Sequence, residues 1–360
     1  MLWKADYNRS MTNLVALQSE IARDVSNKLR TRLSGADEQK LAKSYTANTE
    51  AYQLYLKGRF YWNKRTLNDS QKAIEYFQQA IAVDPNYALA YAGLAEAYTS
   101  VSNLSSTPSR ELMSRAREAA LKALSLDEGL AEAHTALGFI LILNDYDFAG
   151  AEREYKRAIE LNPNDARAHQ LYGALYSSLG RHEEAFAEFR RALAIDPLSL
   201  IINRAYGVTL IHARKYDEAV TQLKKTLELD SNFLLARSSL SHAYRLQGRY
   251  AESVEESAKL QELRGNYQDA ALRRESFSKG GWQGYLRTMT GERRPANLTA
   301  FGLATFHAEL GEKDKAFAEL NKAYENRDPF FTNLKVEPSF DPLQSDPRFA
   351  ELMRRVGLPQ

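Results

Sequence analysis

The stretch Asp165 to Pro197, DARAHQLYGALYSSLGRHEEAFAEFRRALAIDP, constrains this chain more than any other. It reads as two short antiparallel helices. The first is expected from about Ala166 to Leu179 and ends at Gly180, where glycine takes the left-handed conformation without a Cβ penalty. The second is expected from about His182 to Ile195. Asp196-Pro197 stops it, because proline lacks the N–H that would continue the ladder. Gly173 and Ala185 are small where the helices cross, Tyr176 and Phe189 fill the space between them, Ala192 admits the next pair, and Pro197 sits at the turn.

The same set of small, aromatic and proline positions recurs at a period of about 34 residues, which is the mark of a stacked helix-pair architecture. Ala51 to Pro85 carries Gly58, Tyr61, Ala73, Phe77 and Ala80. Ala88 to Glu128 carries Ala95, Tyr98, Ala116, Ala120 and Ala123, with the loop-forming insertion SVSNLSSTPS between its helices. Its stop is weaker, since Asp127-Glu128 replaces Asp-Pro. Ala131 to Pro163 carries Gly138, Ala151, Tyr155 and Ala158, and its first helix is unusually apolar at Phe139 to Leu143. Leu200 to Ser231 keeps Gly207 and Ala219 but has Thr226 where alanine is usual. Leu234 to Gly265 is degenerate, with Ser241, Ser253 and Ser257 at packing positions, and serine there is expected to loosen the fit.

These residues resemble the tetratricopeptide repeat. The resemblance implies an all-α, right-handed superhelical solenoid with an N-terminal helix and a C-terminal capping segment. The wording LWKADYNRSMTNLVALQSEIARDV, the stretch AYQLYLKGRFYWNKRT and the terminus also resemble bacterial multidomain regulators that carry a TolB-like segment ahead of such repeats. On that resemblance the chain begins inside a domain. Residues 1-49 are then a strand, helix and linker left from the upstream domain, and 51-265 hold about six repeats. Residues 266-296 form an irregular connector broken at Gly280-Gly281, and 297-360 form a further helix pair and a cap. Asp346 and Pro347 are an N-cap and N1 pair for the last helix, which Gly357 ends. The tail is expected to cover the final apolar surface, as a solenoid requires.

Charge and composition remove several function classes. Lys plus Arg is 48 and Asp plus Glu is 46, so a net charge of +2 argues against a nucleic-acid or membrane surface. Cysteine is absent, which excludes disulfides, thiolate metal sites and cysteine catalysis. No apolar run is long enough to span a bilayer, and MLWKADYNRS lacks the apolar core of a signal peptide. The expected compartment is the cytoplasm, or outside it if a membrane helix precedes this chain in a longer protein.

No phosphate loop, nucleophile elbow or H-E-x-x-H motif is present, so no catalytic residue, metal site or cofactor is expected. His134 and His169 share a repeat position and are expected to pack or cap, each in its own repeat. Glu183-Glu184 and Glu255-Glu256 are adjacent and so point to different helix faces. Sequons at Asn8, Asn68, Asn103 and Asn297 matter only in a secreted eukaryotic protein, whereas the resemblance is bacterial.

The expected function is non-enzymatic protein–protein interaction, as the scaffold or sensor half of a bacterial regulator whose kinase, cyclase or DNA-binding half lies upstream. By analogy with tetratricopeptide solenoids, first helices line a concave groove that takes a peptide or protein partner. Candidate groove residues are Tyr52, Tyr55, Arg59, Trp62, Asn63, Arg167, Gln170, Arg204, His212, His242 and Arg245. Aromatic rings supply contact area and arginine forks a carboxylate. Tyr52, Tyr55 and Trp62 could equally pack beneath the N-terminal helix. The Lys/Asn clamp of chaperone-binding repeats is absent, since its positions hold Gln170, Arg204, Val208 and Ser238. Two alternatives stay open. One is self-association through the stripe Leu14, Leu17, Ile21, Val25 and Leu29. The other is a small-ligand or enzymatic site in 267-290, with Trp282 and Arg287 lining a pocket.

Overall fold

The computed structural model describes residues 46–104, 110–292, 294 and 298–359. The expected N-terminal helix and its Leu14, Leu17, Ile21, Val25 and Leu29 stripe lie outside the described residues. Those described form helices and the turns between them, with no strand among them. They divide into two compact units, one running up to Ala136 and the other from Leu137.

The first unit contains α1 (Thr49–Asn63), α2 (Leu67–Val83), α3 (Ala88–Leu104), α4 (Arg110–Leu126) and the opening of α5 (Ala131–Ile140). Phe77 is its wedge. The ring is fully buried between Gly58 and Gly93, and a Cβ at either glycine would meet it at 2.6 Å. The two glycines thus allow α1, α2 and α3 to close on one aromatic ring.

The second unit continues with α6 (Phe148–Leu161), then α7 (Ala166–Ser178) and α8 (His182–Ile195), α9 (Leu200–His212) and α10 (Tyr216–Leu229), α11 (Leu234–Leu246) and α12 (Tyr250–Leu263). After these come α13 (Tyr267–Thr290), α14 (Ala300–Glu309) and α15 (Lys313–Glu325). Two 3₁₀ turns, Pro329–Asn333 and Pro338–Leu343, lead to α16 (Pro347–Val356). Each unit is therefore a stack of antiparallel helix pairs, the tetratricopeptide form of an all-α solenoid. Helix α7 begins where the Asp165 carboxylate accepts from the Arg167 and Ala168 amides, and Gly180 follows it at φ +78°.

The turns between pairs use a device that the proline reading overlooks. Asp84, Asp127, Asn162 and Asp230 each accept, through the side-chain oxygen, the amide two residues on. This Asx turn needs no proline. Asp127-Glu128 therefore stops α4 as well as Asp-Pro does elsewhere.

A second periodic device ties each pair together. His134, His169, Asn203 and Arg237 occupy the same register of successive first helices, and each reaches the carbonyl six residues upstream. In the last three the same side chain also meets a residue nineteen positions on, in the second helix: Glu188, Gln222 and Glu256. The residue types differ, yet the geometry repeats.

Two features depart from expectation, and a third, the break in α13, falls at the expected Gly280-Gly281 step. The apolar run after Phe139 leaves the α-helical ladder at a π-turn over Leu141–Asp145, closed by Tyr146 at φ +57°. The serines of α11 and α12 are not slack. Ser241 bonds the Ser253 carbonyl at 2.8 Å, and Ser257 meets Tyr285 and the buried Arg273, so a polar contact stands where an aromatic wedge is usual. Helix α13 breaks at Gly281 (φ +59°, ψ −157°), a conformation that only glycine adopts without strain.

The tail gives the largest correction. Helix α16 does cover the last pair, with Arg348 over the Phe317 ring and bonded to Asp314, and Arg355 over Tyr324 and bonded to Asn321. Residues 329–343, however, do not cap an end. They run back along the first helices inside the second unit, and Phe331, Leu334, Phe340 and Leu343 are fully buried there. Burying these side chains makes exposure of the segment unfavourable, and the first-helix side offers the complementary surface.

Candidate functional site

In the first unit most candidate groove residues are taken into packing. Tyr55 lies against Phe77 and Tyr87, with ring centroids at 5.8 and 5.3 Å, and Tyr52 packs in the same cluster. Trp62 is buried and donates from Nε1 to Ser100 Oγ at 3.0 Å, with the Arg59 and Arg65 guanidinium groups over its ring. Arg59 pairs with the Glu96 carboxylate at 2.6 Å. Burial alone would lower the Arg59 pKa, but Glu96, Tyr55 and Glu132 outweigh it and raise it. Asn63 is exposed.

In the second unit the tail engages the late turns of the first helices, one pair after another. Ser178, at the end of α7, donates to Asn333 at 3.0 Å. Arg214, just past α9, donates to the Val336 carbonyl and the Asp341 carboxylate, both at 2.7 Å. It does so from φ +64°, where the equivalent position elsewhere is glycine. His242 Nε2 meets Glu337 at 3.1 Å, and Arg245 reaches Ser339 at 3.1 Å, Thr305 at 3.3 Å and Glu309 at 3.2 Å. Phe340 meets Phe301 of α14 edge-on at 5.2 Å.

Electrostatics fix this seam. Burial alone would raise the Glu337 pKa, but His242, Arg245 and the Ser339 hydroxyl hold it well below the usual carboxylate range. His212 is buried beside Ser177, and burial pushes its imidazole down to about 3, so it is neutral. Of the sequence candidates, His212, His242 and Arg245 thus lie at or against the chain's own tail.

The early turns of the same helices form a second lane. Arg167, Ile201, Arg204 and Leu235 are half-buried and Ser238 is exposed. Arg204 donates from Nε to Ser239 Oγ at 3.0 Å, and burial lowers its pKa to about 10. Gln170 is buried at 8% exposure.

The other candidates resolve locally. His169 is held by Glu188 and the Pro163 carbonyl, and His134 by the Glu128 carbonyl. Among the described residues no group of three or more His, Asp or Glu side chains is placed to hold a metal. Trp282 is stacked between Tyr250 and Tyr285 at 4.5 and 5.0 Å and donates to Glu309, while Arg287 is exposed. Among the described residues no helix is long and apolar enough to cross a membrane.

Comparison with known proteins agrees with the repeat construction. The transcriptional regulator HilA of Salmonella typhimurium is 29% identical over 136 residues, which is 38% of this chain and 24% of HilA. A protein of Rhizobium meliloti named as a putative adenylate cyclase is 29% identical over 94 residues, 26% of this chain and 16% of that one. The matches therefore span a quarter or less of these relatives' length. Among solved structures, the type IV pilus biogenesis factor PilW is 19% identical with a TM-score of 0.47, covering 62% of this chain and all of that one. A tetratricopeptide protein of Thermus thermophilus is 20% identical with a TM-score of 0.44, covering 57% of this chain and 98% of that one. Residues 54–87 and 154–187 each match a family model for the tetratricopeptide repeat, and these two stretches are the part of the chain that the comparisons identify.

Proposed function

We propose that this chain is a non-enzymatic protein–protein interaction module of a bacterial regulatory protein, and that the early turns of α7, α9 and α11 take an extended peptide segment of the partner. The observation that carries this reading is the division of the first-helix side into two lanes. The tail fills the late turns, while Ile201, Arg204, Leu235 and Ser238 keep access to solvent at the early ones. Apolar groups beside an arginine suit peptide recognition, where a few anchors supply most of the energy. The similarity to a transcriptional regulator and to a protein named as a cyclase favours a regulatory setting, with the effector activity elsewhere in the protein.

The test is selection of random ten-residue peptides displayed on phage against the full chain, followed by hydrogen exchange with a synthetic binder. Slowed exchange in α7, α9 and α11 is expected. Failure to enrich any peptide, or protection confined to the second helices or to 267–290, contradicts the reading.

A further inference from the structure

The upstream face of α1 differs from that of every later first helix. Two residues past the small crossing position stand Ala97, Ile140, Leu175, Thr209 and Ala243, each at most 2% exposed. In α1 the same register holds Phe60, which is 59% exposed. One turn earlier, on the same side of α1, Leu56 is 39% exposed, whereas Gly93, Ala136 and Leu171 at its register are buried. Gly93 shows what this register meets: it packs on the Phe77 ring of the pair before it, with room for no Cβ. Among the described residues α1 has no preceding pair, yet it carries large apolar groups at the positions that receive one. The Phe60 ring is held in place, edge-on to Tyr61 at 5.4 Å with the Lys64 ammonium 4.7 Å from its centre. Residues four apart share a helix face, so Leu56 and Phe60 form one apolar patch, and its contact with water is unfavourable.

We infer that residues 11–32 dock as a helix on this patch, with the stripe Leu14, Leu17, Ile21, Val25 and Leu29 over Leu56 and Phe60. The inference is independent of the peptide lane in the second unit. The path of the chain supports it. The chain enters the first unit at buried Thr46, whose hydroxyl donates to Asp84 at 2.5 Å, and Asn48 caps α1. Sixteen residues, 30–45, separate Leu29 from Thr46. Extended, they span up to roughly 50 Å. The 15 residues of α1 make a helix only about 22 Å long, so this linker reaches either end of it. A helix also rises about 22 Å from Leu14 to Leu29, which matches the stripe to α1 along its length. A short linker holds the attached segment near the patch at a millimolar effective concentration. A second copy of the chain matches that only in concentrated solution, so the chain's own segment is the favoured occupant.

The test is hydrogen exchange by mass spectrometry on the full chain, with Leu56→Ser and Phe60→Ser combined in one variant and light-scattering mass measured alongside. Both side chains are exposed, so the helix pairs should fold with the substitutions in place, which circular dichroism checks. In the parent, residues 11–32 are expected to exchange on the order of 10-fold or more below the rate of an unstructured chain. The variant should bring them close to that rate while α7 to α12 keep theirs. Exchange at the unstructured rate in the parent overturns the inference. So does protection that the variant leaves intact, since the segment then docks elsewhere. Protection that rises with protein concentration, together with a doubled mass, makes a second copy the occupant and also overturns it. Should the variant lose its helical signal, Ile21→Asp decides, because it leaves the repeats untouched. It should speed exchange both in 11–32 and in α1, and unchanged exchange in α1 overturns the inference.

Discussion

If residues 329–343 belong to the core of the second unit, Phe340→Ala should be among the most damaging single changes in the tail. The ring is 0% exposed and meets Phe301 edge-on at 5.2 Å. Burying a phenylalanine contributes about 1.5–3 kcal/mol, an aromatic pair adds roughly 0.5–1.5, and the cavity left behind brings Phe→Ala to about 3–5 kcal/mol. Phe340→Leu fills most of the space and should cost less than about 1.5 kcal/mol. Urea unfolding followed by circular dichroism measures the loss, and limited proteolysis reports where the chain opens. Cleavage should appear first between Asp328 and Asp346. A loss below about 1 kcal/mol for Phe340→Ala, with the tail still resistant to protease, would refute the reasoning.

Acid should weaken the second unit. Glu337 has a folded pKa below its unfolded value, and so does His212; in both cases the unfolded chain binds the proton more readily. Their stabilisation is complete above the unfolded pKa values, roughly 6.5 for His and 4.3 for Glu, and is lost as pH falls below each of them, that of His212 first and that of Glu337 only in stronger acid. The urea midpoint should therefore begin to drop below about pH 7 and go on dropping below about pH 4, and a flat profile would contradict this; His212→Asn should flatten its upper part. Gly281→Ala should cost about 1–3 kcal/mol through backbone strain alone. Gly280→Ala, with open space around its Cβ and no left-handed φ, should be neutral or slightly stabilising, so equal effects at the two sites contradict the kink. Gly58→Ala drives a methyl into the Phe77 ring at 2.6 Å and should destabilise the first unit by about 1–3 kcal/mol, read from its thermal transition.

The sequence discloses the repeats because their signal is local and periodic. Gly58, Gly138, Gly173 and Gly207 mark crossings, and the wedge residues Phe77, Tyr155, Phe189 and Leu223 follow in register. The latch through His169, Asn203 and Arg237 is harder to see, because the chemistry changes while the geometry persists. A side chain bonding six back and nineteen forward is the pattern that marks it. The path of the tail is not legible. Its contacts Ser178–Asn333 and Arg214–Asp341 join residues 155 and 127 positions apart, and no local pattern encodes such pairings. The left-handed non-glycine residues Tyr146 and Arg214 are the available clue. Each stands where glycine is usual, and each turns its strained position to a contact with the tail. The arginines of the groove are legible as residues but not as roles, since Arg204 and Arg245 differ only in what folds onto them.

A crosslink tests most directly whether the chain's own tail fills the late lane of the first helices and leaves the early lane to a partner. The chain has no cysteine, so a pair placed at Ser178 and Asn333 is chemically isolated. Ser178 Oγ and Asn333 Oδ1 stand 3.0 Å apart, so cysteines at the two positions lie within reach of a short bifunctional thiol reagent. Peptide mapping of the crosslinked protein should recover the 178–333 link in high yield, and the linked protein should still bind its selected peptides. Absence of the link with both thiols reactive, or loss of peptide binding on forming it, would contradict the claim.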